Sequence, residues 1–114
     1  TRPSWNGHNS SGWREDILRV NGFDERMAYG GLDRELGERL VNARVRPKQV
    51  RHRVVCIHLD HDRSYINQEA WQRNLTIRRE VRKRQLSWTE HGIYKGPRGA
   101  SSVESAFEAN QRRA

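Results

Sequence analysis

The chain has 114 residues, of which 33% are hydrophobic and 32% are charged. A domain of this size buries only about two-thirds of its unfolded surface, so we expect a small core that a partner surface or another part of the same polypeptide completes. The single cysteine, Cys56, excludes an intrachain disulfide, and no apolar run approaches the roughly 18–20 residues of a membrane-spanning helix. Because neither a Met nor an apolar signal region begins the sequence, we expect an excised piece of a longer protein.

The formal net charge of +8 is concentrated in two basic clusters. Such clusters attract the phosphates of nucleic acid, of anionic lipid or of a diphosphate-linked sugar. A solvated helix face is the competing interpretation for the second cluster, and both stay open. The first cluster comprises Arg44, Arg46, Lys48, Arg51 and Arg53; the second comprises Arg73, Arg78, Arg79, Arg82, Lys83 and Arg84.

The first predicted element is a short amphipathic helix over residues 13–20. Trp13, Ile17 and Val20 recur at a spacing of three to four residues, which favours packing of all three on one helix face. Ser10 or Ser11 is the expected N-cap, and Asn21-Gly22 should end the helix because Gly tolerates left-handed backbone geometry.

A second helix is predicted from Asp33 to Asn42, and Pro47 marks the connection that follows. The next signal is the β-branched run at residues 54–57, which predicts a strand. This run is unbroken rather than alternating, so we expect the strand to be covered on both faces and Cys56 to be a buried structural thiol.

A third helix is predicted from about Asn67 to Leu86, with a loose apolar stripe on one side. We therefore divide the chain into a main region, residues 1–96, and a polar tail, residues 97–114. The tail is either disordered or a short helix that docks elsewhere. The predicted stripe consists of Ala70, Trp71, Leu75, Val81 and Leu86.

Three stretches of the sequence, taken in order, carry its chemistry. This succession resembles the C-terminal half of the inverting family 2 glycosyltransferases, and in particular the galactosyltransferase C-terminal region. The pattern there is a Gly/Asn loop, a helix, NGFDE, GGEDxE opening a helix, and HxxH. The resemblance covers about Trp5 to Tyr65 and continues more weakly to about Ile93. The matching stretches are residues 7–14 with 20–25 (VNGFDE), residues 29–36 (YGGLDREL), and residues 58–61 (HLDH).

The resemblance implies an α/β fold of GT-A type, of which this chain is the acceptor-side, mostly helical fragment with few strands. It also implies metal-dependent transfer of a hexose from a nucleotide sugar, UDP-linked, to a glycan or lipid-linked glycan, as in bacterial envelope polysaccharide biosynthesis. The donor would be bound by an N-terminal half, so the fragment alone is expected to be inactive. The divalent cation, Mn or Mg, would be bound only when that half is present.

Asp33 is the candidate catalytic base. Gly30-Gly31 allows the backbone to approach a ligand closely, and the N-terminus of a helix stabilises an ionised carboxylate. Inverting transfer requires a carboxylate that takes the proton from the acceptor hydroxyl, and the resemblance implies this role for Asp33. The alternative is an aspartate that only caps the helix.

Tyr29, Gly30, Gly31 and Glu35 are the acceptor-site candidates next to Asp33, and Leu32 departs from the family pattern. Leu32 stands where the family carries Glu, so a carboxylate expected to orient the acceptor is missing. Glu35 matches the second acidic position and either contacts the acceptor or faces solvent. Tyr29 matches an aromatic residue that faces the acceptor sugar in relatives. Arg39 is expected to pair with Glu35 in a modest surface interaction.

His58 is the candidate metal ligand and His61 the second. A histidine at the carboxyl end of a buried strand points into the cleft where α/β enzymes bind ligands, and the resemblance implies that it joins an Asp-x-Asp motif of the other half. A hydrogen-bonded structural histidine is the alternative. Asp60 and Asp62 do not make a zinc site, since they alternate with His61 across a strand.

His8 and Asn9 complete the expected cleft. In the family their loop lines the donor-sugar and acceptor site, and Gly7 and Gly12 permit close approach; an Asn-containing turn is the alternative. Trp13 is expected to pack within its helix rather than to stack on a sugar.

Two further hypotheses concern partners. A small basic nucleic-acid-binding module is the alternative function, although no helix-turn-helix, zinc-finger or RNA-recognition signature is present. The basic helix over residues 73–84 would also suit a peripheral contact with an anionic membrane, which would place the protein in the cytoplasm, at the inner face of the membrane. Self-association of the fragment would be another way to cover an exposed core face.

Overall fold

The computed structural model describes residues 3–63 and 66–99. Its helices are α1 (Arg14–Arg19), α2 (Leu32–Asn42) and α3 (Gln68–Arg84), and α2 packs against α3. Within those two ranges the regular structure is helical and no strand occurs, so the expectation of a mostly helical chain is confirmed. No described helix has the length and apolar character needed to cross a membrane. Of the predicted tail, residues 97–114, the structure describes residues 97–99, and residues 100–114 lie outside the described residues.

Helix α1 ends as predicted but begins differently. Asn21 and Gly22 both have a φ of 69°, and the Gly22 N–H donates to the Ile17 carbonyl at 2.9 Å, which closes the C-terminus. The predicted serine cap is wrong: the N-cap is Trp13, without a side-chain hydrogen bond, and the Ser10 hydroxyl instead donates to the Asn6 carbonyl at 2.6 Å.

The predicted packing of Trp13 is also wrong. As the N-cap of α1 it precedes the first helical turn, and 78% of the residue is exposed. Trp5 packs in its place against the buried residues Val20, Leu36 and Leu40. Burying aliphatic side chains of this kind contributes about 1.5–3 kcal/mol each, so this cluster anchors α2 to the end of α1.

A buried ion pair sits beside this cluster. Arg39 and Glu35 have no exposed side-chain surface, and they join through two hydrogen bonds of 2.6 and 2.8 Å. Arg39 also donates to the carbonyls of Val20 and Gly22. Burial raises the pKa of the Glu35 carboxyl, while the hydrogen bonds from Arg39 oppose that shift. The predicted pairing is therefore present, but its predicted surface position is wrong.

Helix α3 confirms the predicted third helix and corrects its apolar stripe. The Asn67 side chain caps the helix by accepting from the N–H groups of Glu69 and Ala70. The buried positions recur with helical spacing, and the predicted Trp71 is instead 43% exposed. The buried residues of α3 are Ala70, Asn74, Ile77 and Val81.

Two kinds of contact join α3 to α2. Ile77 and Val81 pack with Met27 in a second apolar cluster. At its edge, the Arg78 guanidinium donates to Glu38 of α2 at 2.6 Å, with both side chains largely buried. This ion pair uses one member of the second basic cluster for folding.

The NGFDE stretch binds the chain that follows α3. The buried Asn21 amide donates to the carbonyls of Thr89 and Tyr94 at 2.6 and 2.7 Å, and its oxygen accepts from the Tyr94 N–H at 2.8 Å. Asp24 accepts from the Thr89 hydroxyl at 2.7 Å and from the Arg26 guanidinium. Within this structure, the motif thus supplies tertiary hydrogen bonds.

The predicted strand at residues 54–57 is wrong for this structure. The run is exposed instead of covered on both faces, and no described residue pairs with it as a strand. Cys56 is accordingly an exposed thiol and not a buried one. An apolar run needs a neighbouring strand or layer before it can be buried in a sheet, and the described chain supplies none.

Candidate functional site

Asp33 lies in the first turn of α2, where two backbone N–H groups hold its carboxylate. One oxygen accepts from Gly7 at 2.9 Å and the other accepts from Arg34 at 2.8 Å. The helix begins one residue earlier than predicted, with Gly31 as an N-cap that has no side chain to cap it. Asp33 therefore occupies a helix N-terminus, as expected, and also anchors the loop that contains His8.

The same loop touches the segment that carries the predicted metal ligands. The rings of His8 and His58 meet edge to face, with their centroids 6.1 Å apart. The Cys56 thiol lies 3.6 Å from the His8 carbonyl oxygen. Residues 7 and 8 thus form a bridge, with Asp33 on one side and His58 on the other.

His58 and His61 are close together. Their ring centroids are 5.4 Å apart, although strict strand alternation would have placed them on opposite faces. Their proximity follows from the absence of a strand at this point. Within residues 3–63 and 66–99, no group of three or more His, Cys, Asp or Glu side chains is arranged to hold a metal ion. These residues can therefore supply imidazole ligands to a divalent cation only if further ligands come from elsewhere.

Packing against α3 explains why glycine occupies positions 30 and 31. Gly30 has a φ of 117°, and a Cβ there would lie 2.5 Å from Cε3 of the Trp71 ring. Gly31 has a φ of 85°, and the Arg78 side chain passes over it. We expected a ligand to approach the backbone of these two glycines closely. In the structure, side chains of α3 occupy that position. Asn74 secures the turn by donating to the carbonyl of Gly30 at 2.9 Å.

The other predicted site residues divide between surface and interior. Tyr29, His8 and Asn9 are exposed, and the Asn9 N–H donates to the Asn6 carbonyl in a turn. The two predicted roles of Glu35, contact with the acceptor or exposure to solvent, are both wrong. Its carboxylate lies in the interior, where Arg39 binds both oxygens.

Sequence reasoning missed the role of Trp71 at this site. We assigned it to the buried stripe of α3, whereas it lies against Gly30 with 43% of the residue exposed, next to the exposed Tyr29. The helical register of the sequence could have predicted that Trp71 lies outside the buried face of α3. Positions 70, 74, 77 and 81 share one face, and position 71 falls beside that face.

The chemistry available here is that of the Asp33 carboxylate, together with imidazoles that connect to it through residues 7 and 8. Each Asp33 oxygen accepts one backbone hydrogen bond and keeps a second lone pair with which to accept a proton. No Lys or Arg among the described residues forms a salt bridge with Asp33. A partly exposed carboxylate in this setting can act as a base toward a hydroxyl group.

Comparison with known proteins identifies no relative: the chain matches no family model, no curated protein and no solved structure at a significant level. The resemblance to family 2 glycosyltransferases therefore remains a prediction from the motifs and their order.

Proposed function

We propose that this chain is the acceptor-side part of a metal-dependent inverting glycosyltransferase of GT-A type. The enzyme transfers a hexose from a UDP-linked sugar to a glycan or lipid-linked glycan. The observation that carries this proposal is the bridge formed by residues 7 and 8, which contacts both Asp33 and His58. A base and a metal ligand for one transfer reaction have to lie in one cleft, and these contacts support that requirement.

Asp33 removes the proton from the acceptor hydroxyl as that oxygen attacks the sugar. The two N–H groups that bind its carboxylate fix the orientation of its oxygens before the acceptor arrives. Tyr29 and His8, both exposed, line the acceptor side of the cleft. Glu35 contributes indirectly, because its pairing with Arg39 fixes the first turns of α2, on which Asp33 lies.

His58 and His61 contribute imidazole nitrogens to the cation site, and carboxylates of a donor-binding half complete it. When bound, a divalent cation neutralises the charge of the departing nucleoside diphosphate. Two neighbouring imidazoles, without a third described ligand, suit a site shared between two parts of one enzyme. The same division of labour predicts that the present chain alone binds no nucleotide sugar tightly.

We place the enzyme in the cytoplasm, at the inner face of a membrane that carries its lipid-linked acceptor. Several basic side chains of α3 are exposed and suit a peripheral contact with anionic lipid, each contributing about 1 kcal/mol near such a surface. The exposed set is Arg73, Arg79, Arg82, Lys83 and Arg84.

The deciding experiment uses the longer protein that joins this chain to its donor-binding half. Its rate is measured with a panel of nucleotide sugars and glycan acceptors, for the unaltered protein and for Asp33→Asn. Loss of the base should lower kcat by about 100-fold or more while donor binding is kept. The Asn oxygen can still accept from Gly7, so the loop should stay in place.

Asp16→Asn on α1 is the matched control, since Asp16 pairs only with Arg19 among the described residues. It should leave the rate unchanged. The proposal fails if Asp33→Asn keeps kcat within about threefold of the unaltered protein, or if the isolated chain binds a nucleotide sugar tightly by itself.

A nucleic-acid-binding module is the second candidate, favoured by the same exposed basic residues of α3 and by the half-exposed Trp71. It predicts binding to DNA or RNA with a steep salt dependence. Retention on DNA that is no stronger than retention on a simple cation exchanger of equal charge density would exclude it.

A further inference from the structure

Residues 55–59 follow a bend at Val54 and belong to no helix or strand, and three of their apolar side chains are open to solvent. Val55, Ile57 and Leu59 are 86%, 82% and 79% exposed. Alternate residues of an extended chain share a face, so these three side chains lie together. The intervening Cys56 and His58, although exposed, both contact His8, so they are turned to a different side from the three apolar residues.

From residue 55 onward, the backbone of this segment has no hydrogen-bond partner within the described chain, whereas the Val54 N–H donates to the Val50 carbonyl at 3.3 Å. None of residues 55–60 makes a backbone hydrogen bond to another described residue. Val and Ile favour extended backbone, and an extended segment with free N–H and C=O groups offers a template for strand pairing. The segment therefore combines an uncovered apolar face with an unused hydrogen-bonding edge.

The flanking charges indicate what kind of surface fits there. Residues 44–63 contain six Arg or Lys and two Asp, and Arg51, Arg53 and Arg63 are exposed without a salt bridge to another described residue. A second copy would bring two basic segments together, in a chain whose net charge is already +8. A bilayer would cover the apolar side chains but leave the backbone groups without partners. An acidic protein surface with free strand-pairing groups satisfies all three features.

We propose that residues 54–59 are a docking strand that adds to the open edge of a β-sheet in another protein domain, with acidic side chains flanking that edge. Backbone hydrogen bonds provide the pairing, and the apolar layer of the partner covers Val55, Ile57 and Leu59. The flanking arginines select an acidic edge over a basic or neutral one. This inference does not depend on the proposed enzymatic function.

The test uses the ¹⁵N-labelled chain and a short synthetic peptide that alternates Val and Thr between terminal Glu residues. Amide exchange of residues 54–59 is followed by NMR. With the acidic peptide in excess, exchange at alternate residues of the segment should slow by about tenfold, because the N–H groups on one edge of the paired chain become hydrogen-bonded. Two control peptides separate the causes: one is N-methylated at alternate residues and cannot pair, and the other has Lys in place of Glu.

Two variants of Ile57 distinguish the contribution of the backbone N–H to this protection from that of the side chain. Ile57→Pro removes an N–H in the middle of the segment and should abolish the protection, whereas Ile57→Thr keeps both the N–H and the β-branch and should preserve it. Because Ile57 is exposed, neither change should alter the spectrum of the helices. Protection that depends only on chain concentration would identify a second copy as the partner, and protection by phosphatidylserine vesicles alone would identify a membrane. Either of these results would overturn the proposal. Equal protection by the N-methylated peptide would also overturn it, and so would the absence of protection by any peptide.

Discussion

Replacing Arg39 by Met is the most informative perturbation of the fold. The substitution keeps an unbranched side chain of helix-compatible shape and removes the guanidinium that pairs with Glu35. Neither partner has exposed side-chain surface, so solvent cannot hydrate the carboxylate that remains. Two carbonyls, those of Val20 and Gly22, lose their donor at the same time.

The expected cost follows from these contacts. Removing one partner of a buried ion pair costs about 3–5 kcal/mol, chiefly because the other charge is left without compensation. A domain of this kind is stable by about 5–15 kcal/mol, so Arg39→Met should lower the free energy of unfolding by a large fraction of its total. The double variant Arg39→Met with Glu35→Leu removes the stranded charge as well. It should recover at least about 1–2 kcal/mol of that loss, with the two carbonyls accounting for the remainder.

Urea unfolding followed by circular dichroism measures all three free energies. Asp16→Asn, which alters an exposed pair on α1, is the control and should change stability by less than about 0.5 kcal/mol. A cost of under about 1 kcal/mol for Arg39→Met, or a double variant no more stable than the single one, would contradict the buried ion pair as described. Either result would mean that the pair is hydrated in solution.

Two further predictions concern Asp24 and Gly30. Burial opposes ionisation of Asp24, but the hydrogen bonds led by Arg26 prevail and lower the pKa of its carboxyl. The resulting stabilisation is complete above the unfolded-state pKa of about 3.9 and is lost as pH falls toward the lower folded-state pKa. Asp24→Asn should therefore flatten the acid side of a plot of urea midpoint against pH, and an unchanged slope would contradict this assignment. Gly30→Ala should cost about 1–3 kcal/mol more than Gly96→Ala, because both glycines have left-handed φ values but only Gly30 adjoins Trp71. Thermal denaturation compares the two variants, and equal losses would show that the ring yields.

The sequence was sufficient wherever a local rule decides the outcome. Asn21-Gly22 ends α1 because left-handed backbone is easiest for Gly and Asn, and that rule needs no tertiary information. The extent of α3 was likewise predictable from its composition and the cap at Asn67.

The errors arise where the outcome depends on what packs nearby. The run at residues 54–57 has the composition of a buried strand, but burial requires a second layer that the described chain lacks. Arg39 was expected at the surface because long charged residues are rarely buried. Only the fold shows that two carbonyls and Glu35 satisfy its donors together. Asn74 is buried in α3 although the predicted stripe omits it, because its amide binds the turn before α2.

The side-chain amide of Asn21 makes the end of α1 depend on the chain that follows α3. Its donors are satisfied by carbonyls 68 and 73 residues further along the chain, in a segment that follows the last helix. Shortening the polypeptide at residue 88 would leave α1, α2 and α3 in place, yet it would leave that buried amide without acceptors at the end of α1. The smallest portion that can be excised intact therefore extends at least to Tyr94, ten residues past the end of α3.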